Sequence, residues 1–305
     1  MKTGICSYFG YGVSVKERAR LISEAGFDYV ILWWSDDGIH ELPKEKQPEV
    51  YLNRGLGIRY AHAPFNKIND IWDDGLAGQG LYEALSSCVA DCGAFGIPVA
   101  VMHISEGDAP PPQNDLGYDR VRRLFEQGEK RGVCIAFENT RRLDYLRELF
   151  KRVSSERIKF CYDVGHEYCL DRLTRLAAIC DGAGVAIDGK IIREPGYVDS
   201  LLERLCMDSD EFWRGGYPGI DLLSEYGDRL AAMHLHDNFG TRDEHLMPFD
   251  GKIPWENVAK RLKKIGPGEI ILENVATESD KNKYSPEEYL AESMARAQKF
   301  MRMVE

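Results

Sequence analysis

Short apolar segments alternate with longer amphipathic segments along the whole chain. Runs rich in Val, Ile and aromatic residues occur eight times, at about residues 3–8, 28–34, 58–64, 98–105, 132–139, 158–164, 230–236 and 269–274. Between them apolar residues recur with helical periodicity, as in Val15 to Ala25, Leu81 to Phe95, Tyr118 to Arg131, Leu143 to Val153, Trp255 to Ile265 and Pro286 to Met303. Glycines follow several of these segments, as expected where helices end: Gly26, Gly96, Gly132 and Gly266. Eight strands that alternate with helices predict a parallel sheet closed into a single (β/α)8 TIM barrel.

One connection breaks this alternation. About sixty-five residues separate His166 from the run that carries His234, where a single helix needs far fewer. The segment Val185 to Ile192 predicts a hairpin around an Asp-Gly turn, and Leu201 to Cys206 predicts a helix. We therefore expect one domain, residues 1–305, with an inserted hairpin and helical excursion after strand 6 at roughly 180–220. A lid or an oligomer contact is its functional interpretation, and a surface insertion without function is the alternative.

Charge and cysteine usage narrow the class of protein. The chain has 50 acidic and 39 basic residues, and its formal charge of -11 repels a phosphate backbone. Of its 8 cysteines, Cys6, Cys134 and Cys161 lie in apolar strand-like segments, and Cys88 and Cys92 are four apart on a predicted helix. This favours scattered buried thiols in a reducing compartment over a disulfide framework. The N-terminus lacks a signal-length apolar stretch, and the chain has no apolar run long enough for a membrane span. We expect a cytoplasmic protein without membrane or nucleic-acid partners.

Residues of the types that bind divalent metals lie at the ends of most predicted strands. They are His62, His103, Glu138, Asp163 with His166, His234 and Glu273, and a loop adds Asp243 and His245. Zinc and manganese ions are bound by imidazole nitrogens and carboxylate oxygens, and a barrel gathers its strand ends at one mouth. A carboxylate that ends a buried strand is costly unless it is paired or bound to metal. The alternatives are a structural histidine for His62 or His103 alone and a solvated turn for Asp243 and His245.

These segments resemble the xylose isomerase-like barrels, a family of sugar and sugar-phosphate isomerases and epimerases that also includes abasic-site nucleases of the endonuclease IV type. The resemblance covers nearly the whole chain apart from the insertion. It implies a metal site made of Glu138 in its Glu-Asn context, Asp163 in Asp-x-Gly-His, His234 in His-Leu-His-Asp, and Glu273.

The nuclease branch of this family uses nine ligands for three zinc ions. The five added positions match His62, His103, His166, Asp243 and His245 in this chain. Because many barrels of the isomerase branch keep most of these residues, the match supports metal chemistry more than it supports DNA repair. The resemblance implies one to three divalent ions per chain, with Mn, Zn, Mg and Co as candidates. His236 lies one strand repeat beyond His234, so we expect it to play a supporting role.

The favoured function is a metal-dependent sugar or sugar-phosphate isomerase or epimerase that forms an enediolate and acts on a small carbohydrate. Glu138 and Glu273 are the predicted base and acid. His166, Trp34 and Arg242 are the predicted substrate-binding residues, with core packing as the alternative for Trp34 and a surface role for Arg242. An endonuclease IV-like phosphodiesterase that acts at abasic DNA sites is the second hypothesis. A sugar-binding regulatory barrel is the third, although a binder needs no acid and base pair.

Overall fold

Eight parallel strands form a single sheet. The computed structural model describes residues 1–35, 41–153, 155–186, 196–214 and 220–305. In the order β7-β6-β5-β4-β3-β2-β1-β8, the strands are β1 Lys2–Cys6, β2 Tyr29–Trp33, β3 Gly57–His62, β4 Val99–Met102, β5 Cys134–Glu138, β6 Ile158–Asp163, β7 Leu230–His234 and β8 Glu269–Leu272. All eight predicted strands are confirmed. They end before the predicted runs do, because the buried segment continues past the last paired residue.

The sheet curls until its two edge strands meet. Just beyond β7, the Leu235 backbone N–H donates to the Ile271 carbonyl at 3.0 Å, and the Glu273 N–H donates to the Leu235 carbonyl at 3.1 Å. An isolated parallel bridge, Leu235 with Leu272, marks the same place. The barrel therefore closes beside the ends of β7 and β8, where two of the predicted metal ligands lie.

Helices cover the outside of the barrel. Within the described residues they are α1 Val15–Glu24, α2 Gln47–Leu52, α3 Leu76–Phe95, α4 Asp115–Arg131, α5 Leu143–Arg152, α6 Val164–Gly182, α7 Tyr197–Arg204, α8 Ser209–Arg214, α9 Leu222–Tyr226, α10 Trp255–Ile265, α11 Glu278–Lys283 and α12 Pro286–Val304. The six predicted helices are all present. Gly96, Gly132 and Gly266 end α3, α4 and α10 in the left-handed conformation, with φ of 68°, 72° and 69°. None of the helices in the described ranges is long and apolar enough to cross a membrane.

The core explains why the strands are continuous apolar runs rather than alternating ones. Val30, Ile31 and Leu32 on β2 are all fully buried, since one face of the strand packs inside the barrel and the other packs under helices. The amphipathic α5 buries Leu146 and Leu149 against this layer and leaves its charged side exposed.

The order of the elements after β6 differs from the expected one. The helix α6 begins at Val164, directly after β6, so the excursion follows a helix rather than a strand. The predicted helix at Leu201 to Cys206 corresponds to α7, whereas the predicted hairpin lies, from residue 187 onward, outside the described residues. On α6, Tyr168 donates from its hydroxyl to the Trp213 carbonyl at 2.9 Å, and Arg172 donates to the Phe212 carbonyl. These bonds hold α8 against α6.

Candidate metal centre

Six of the predicted ligands lie on or directly after the C-terminal ends of strands. They are His62 on β3, His103 after β4, Glu138 on β5, Asp163 on β6, His234 on β7 and Glu273 after β8. Because parallel strands end at the same rim, their side chains converge at the mouth of the barrel. Asn139 aligns two of these strand ends, since its amide donates to the Asp163 carbonyl and accepts from the Asp163 N–H, both at 2.8 Å.

Glu138 lies at the middle of the cluster. Its Oε2 is 3.1 Å from His234 Nδ1, 3.3 Å from His62 Nε2 and 3.4 Å from His103 Nε2. Its Oε1 is 3.0 Å from His166 Nδ1. The side chain is buried, and one carboxylate with the imidazoles of His62, His103 and His234 matches the ligand chemistry of zinc-type ions.

A second set of ligands surrounds His234. Its Nδ1 is 3.2 Å from Glu273 Oε2 and 3.7 Å from Asp163 Oδ2, in addition to its approach to Glu138. This nitrogen is fully buried and makes no hydrogen bond. A ring nitrogen that is enclosed by three carboxylates without a hydrogen bond is a costly arrangement, unless a cation lies between them. The residues Glu138, Asp163, His234 and Glu273 therefore fit a divalent ion.

A third set of ligands surrounds Asp243, in the loop between β7 and α10. Asp243 Oδ2 is 2.9 Å from His245 Nε2 and 3.0 Å from His166 Nε2. His245 is in the left-handed conformation, with φ of 50°, which directs the loop back toward the barrel. The structure thus brings both loop residues to the cluster instead of leaving them in a solvated turn.

Backbone carbonyls fix the orientation of three histidine rings. His62 Nδ1 is 2.8 Å from the Ala63 carbonyl, His166 Nδ1 is 3.0 Å from the Asn139 carbonyl, and His245 Nδ1 is 2.9 Å from the Glu273 carbonyl. Because a carbonyl only accepts, Nδ1 carries a proton in each ring, and Nε2, which faces the carboxylates, is the nitrogen that can bind a metal once it has lost its own proton. This is the usual arrangement of metal-binding histidines.

Charges in the cluster strongly shift the pKa values of its side chains. Burial alone would raise the pKa of Glu138, but His234, His103 and His166 hold that pKa well below its usual range. Burial alone would lower the pKa of His245, but Asp243 raises it to about 10. Without a metal ion, the protein therefore holds protons where the ligand sets would bind cations.

His236 also lies in this cluster. Its side chain is fully buried, and Nε2 is 3.1 and 3.2 Å from the two oxygens of Asp163 and 3.6 Å from Asp243 Oδ1. Its ring stacks on that of His245, with centroids 4.2 Å apart. Strand alternation places His236 on the same side as His234, and this pattern was sufficient to identify it as a neighbour of the site.

The structure corrects one predicted substrate contact. The indole of Trp34 donates to Asp91 on α3 at 2.9 Å and packs on Phe95, so Trp34 belongs to the layer between the barrel and its helices. Its neighbour Trp33 packs instead on Phe65, which contacts the rings of the cluster. Successive strand residues point to opposite faces, so only one of the adjacent tryptophans can face the mouth. Arg242 lies in the Asp243 loop and is exposed at the rim.

A cavity of ≈ 400 Å³ opens onto the cluster. It is lined by Phe65, His103, Glu106, Gly107, Asp108, Thr140, Arg141, His166, Cys169 and Asp243. Arg141 Nη1 is 2.9 Å from Asp108 Oδ1. Burial, together with the negative charge of Asp243, raises the pKa of the Cys169 thiol well above its usual value. This volume lies within the range of small-molecule sites, about 300–1,000 Å³.

Two similar proteins are known by sequence as uncharacterized proteins. The chain is 27% identical over 289 residues to the uncharacterized protein y4fM of Sinorhizobium fredii (strain NBRC 101917 / NGR234), covering 83% of this chain and 78% of that protein. It is 24% identical over 296 residues to the uncharacterized protein MJ1311 of Methanocaldococcus jannaschii, covering 90% and 84%.

Solved structures share the fold. A D-tagatose 3-epimerase-like protein superposes with a TM-score of 0.68 at 19% identity, over 100% of this chain and 98% of that one. D-Psicose 3-epimerase with D-tagatose from Clostridium cellulolyticum H10 superposes with a TM-score of 0.64 at 14% identity, over 100% of both chains. An IOLI protein with a bound zinc atom gives 0.63 at 14% identity, over 100% and 98%.

A family model covers most of the chain. The model described as xylose isomerase-like TIM barrel matches residues 19–300. This chain therefore belongs to the xylose isomerase-like TIM barrel family.

Proposed function

We propose that this protein is a divalent-metal-dependent isomerase or epimerase of a small sugar. The observation that carries the proposal is the position of two carboxylates, Glu138 and Glu273, within 3.1 and 3.2 Å of the same His234 nitrogen. They come from β5 and from the end of β8, so they approach the centre from different sides of the barrel. An exchange of one carbon-bound proton between two faces of a substrate needs a base and an acid placed in this way.

Glu138, Asp163, His234 and Glu273 would hold the ion that this chemistry needs. When bound, such an ion acts as a Lewis acid toward the carbonyl and hydroxyl oxygens of a sugar. The four residues offer one imidazole and three carboxylates, a mixed set that suits zinc or manganese and also accepts magnesium or cobalt. The IOLI protein, a similar structure with a bound zinc atom, supports the choice of a divalent ion.

The chain's own residues would then move the proton. Glu138 would act as the base that accepts the proton from the carbon next to the carbonyl. Glu273 would return a proton to the substrate, which gives either the epimer or the isomer. If only the set around His234 holds an ion, His166, which lines the cavity, would also donate a hydrogen bond from Nε2 to a substrate hydroxyl. Trp33 and Phe65 would exclude water on the apolar side of the sugar.

Proton exchange tests this proposal directly. The metal-loaded protein in deuterated water should place deuterium on the carbon next to the carbonyl of ketoses such as D-tagatose or D-psicose. Glu138→Gln and Glu273→Gln should each lower the exchange rate by about 10²–10⁴-fold, which is the usual contribution of a general acid or base. Nuclear magnetic resonance of the recovered sugar measures the incorporation.

A matched control separates chemistry from stability. Glu148 lies on the outer surface of α5 and pairs with Arg152 at 2.7 Å, so Glu148→Gln should keep the wild-type exchange rate. Absence of metal-dependent exchange with every ketose tested, in a folded and metal-loaded sample, would contradict the proposal.

One observation favours a second candidate, a metal-dependent phosphodiesterase at abasic DNA sites. All nine ligand positions of the nuclease branch are occupied here by suitable residues, and the structure gathers them into three adjoining sets around Glu138, His234 and Asp243. Against it, the cavity carries Glu106 and Asp108, and the net charge of the chain is -11. Incubation of the zinc-loaded protein with an abasic duplex decides between the two, because a phosphodiesterase cuts it and an isomerase leaves it intact.

A further inference from the structure

The surroundings of Asp243 contain one more imidazole than the family pattern requires. His245 Nε2 and His166 Nε2 are 2.9 and 3.0 Å from Asp243 Oδ2, as described above. His236 Nε2 lies 3.6 Å from the other oxygen of the same carboxylate, Oδ1. Three imidazole nitrogens thus approach one carboxylate, which is the composition of a complete four-ligand set for a zinc-type ion.

Neighbouring residues fix the position of the His236 ring. Its ring stacks face to face on the ring of His245, at an interplanar angle of 24°. Gly165 lies against the Cε1 edge of the ring, where an added Cβ would come within 2.0 Å of Cε1 and 2.7 Å of Nε2. His236 Nδ1 is buried and makes no hydrogen bond, so only Nε2 is engaged, and it faces the carboxylates.

We propose that His236 is a metal ligand and that His166, His236, Asp243 and His245 together bind one divalent ion with four protein ligands. The nearest alternative is that His236 only donates a hydrogen bond to Asp163, which its Nε2 approaches at 3.1 Å. The stacking on His245 and the approach to Asp243 go beyond what a hydrogen-bond donor to Asp163 needs.

Four protein ligands would give this ion a structural role. Catalytic zinc sites keep a coordination position open for water or substrate, whereas structural sites are closed by four protein ligands. An ion at Asp243 would therefore stabilise the loop between β7 and α10 and leave the chemistry to the set around His234. This inference rests on the metal centre of the proposed function, but it does not depend on which sugar is the substrate.

Substitution of His236 by glutamine tests the assignment. Glutamine keeps an N–H donor near the position of Nε2 and can still bond Asp163, but it is a poor zinc ligand. After dialysis against buffered free zinc, elemental analysis should find one zinc ion fewer per chain in His236→Gln than in the wild type. The binding of that ion should weaken by more than the roughly 10–100-fold that the loss of an outer hydrogen-bond partner costs.

Three further variants make the result specific. Asp243→Asn should lose the same ion, and the His236→Gln/Asp243→Asn double variant should hold as many ions as either single variant, because all three lack one and the same site. Gly165→Ala keeps the imidazole but displaces it, so it should reproduce the loss. Circular dichroism confirms that each variant is folded.

Distinct outcomes separate this inference from the proposed function. If His236→Gln keeps the wild-type number of ions, with affinity changes of less than about 100-fold, His236 is a hydrogen-bond partner and the inference is wrong. A wild-type protein that holds one zinc ion per chain also overturns the inference but leaves the proposed isomerase intact. A wild-type protein that binds no divalent ion contradicts both.

Discussion

Imidazole rings in this site are held by backbone carbonyls, and their second nitrogens face carboxylates. His62, His166 and His245 share this arrangement, through the Ala63, Asn139 and Glu273 carbonyls. The backbone therefore selects the tautomer that a metal ion needs before any ion binds. Sequence patterns could identify the residue types, because each stands at a strand end, but they could not show which ring nitrogen is engaged.

Proton competition at His245 gives a prediction at this scale. With a folded pKa of about 10 against an unfolded value of about 6.5, this group adds stability to the metal-free protein below about pH 6.5. That contribution is lost as the pH rises through about 10. Because the proton must leave before Nε2 binds metal, zinc affinity should increase with pH, by up to about tenfold per unit for each proton displaced.

Calorimetric zinc titrations between about pH 6 and about pH 8.5, in buffers of different ionisation enthalpy, measure the zinc affinity and the number of protons that zinc displaces. Asp243→Asn removes both a proposed ligand and the charge that raises the His245 pKa, so it should reduce the number of protons released. A zinc affinity that does not change over this pH range would contradict the prediction.

The limits of sequence reasoning are clear at two residues. Trp34 follows the last residue of β2, and the pattern of apolar residues cannot tell which of two adjacent tryptophans faces the mouth. His236 follows β7, and its distance from Asp163 and Asp243 depends on how the chain turns after Leu235 to pair with β8. Both answers depend on tertiary geometry beyond the strand ends.

At the scale of elements, the loop between β7 and α10 is fixed from two sides. Asp237 accepts from the Trp255 indole at 2.7 Å and from the backbone N–H groups of Phe249 and Ile253 at 2.9 and 3.1 Å. On the other side, Trp213 of α8 packs against Gly240, and Lys252 lies over the Trp213 ring at 4.1 Å. The excursion after α6 therefore supports the loop that carries Asp243 and His245.

Gly240→Ala should disturb this support. Gly240 has φ of +93°, and an added Cβ would come within 2.5 Å of Trp213 Cζ3 and 3.1 Å of Tyr168 Cε1. We expect the free energy of unfolding to fall by about 1–3 kcal/mol, because the substitution adds both backbone strain and overpacking. Zinc binding at Asp243 should weaken while the set around His234 keeps its ion. Urea unfolding and zinc content per chain are the measurements.

Gly268→Ala provides the matched control for this variant. A Cβ at Gly268 meets no atom within 4 Å, so its unfolding free energy should stay close to that of the wild type. Equal stability of the two alanine variants would show that α8 does not support the loop.

Elements were more predictable than their connections. The eight strands and six helices follow from apolar periodicity and from glycine stops such as Gly96 and Gly132. The order of elements after β6 did not follow from periodicity, because α6 begins with Val164, Gly165 and His166, which also carry the metal-binding pattern. A strand end, a ligand motif and a helix start overlap within these residues.

At the scale of the whole molecule, ligands from β3 to β8 meet at one point. Four carboxylates, Glu138, Asp163, Asp243 and Glu273, lie close together in a chain whose net charge is already -11. Their mutual repulsion is balanced by protonated histidines in the metal-free protein and would be balanced by cations in the loaded one. The centre thus couples metal content to the stability of the entire barrel.

Removal of metal should therefore lower the thermal stability of the whole domain. A ligand present at 100 times its Kd stabilises the folded state by about 2.7 kcal/mol. Treatment with a chelator should reduce the Tm by several degrees, and added zinc or manganese should restore it. Calorimetry of the wild type and of the Asp163→Asn/His234→Gln double variant is the measurement, and the variant should show little response to the chelator. A wild-type Tm that does not respond to metal would contradict the prediction.

The closure of the barrel at Leu235 has a consequence for its motions. The seam between β7 and β8 rests on a single bridge pair, and His234 and Glu273 stand on its two sides. An ion bound by both residues would connect the two strands across this seam. Amide hydrogen exchange at Leu235 and Glu273 should then slow when metal binds, so the local opening of the barrel and the release of the ion would be the same event.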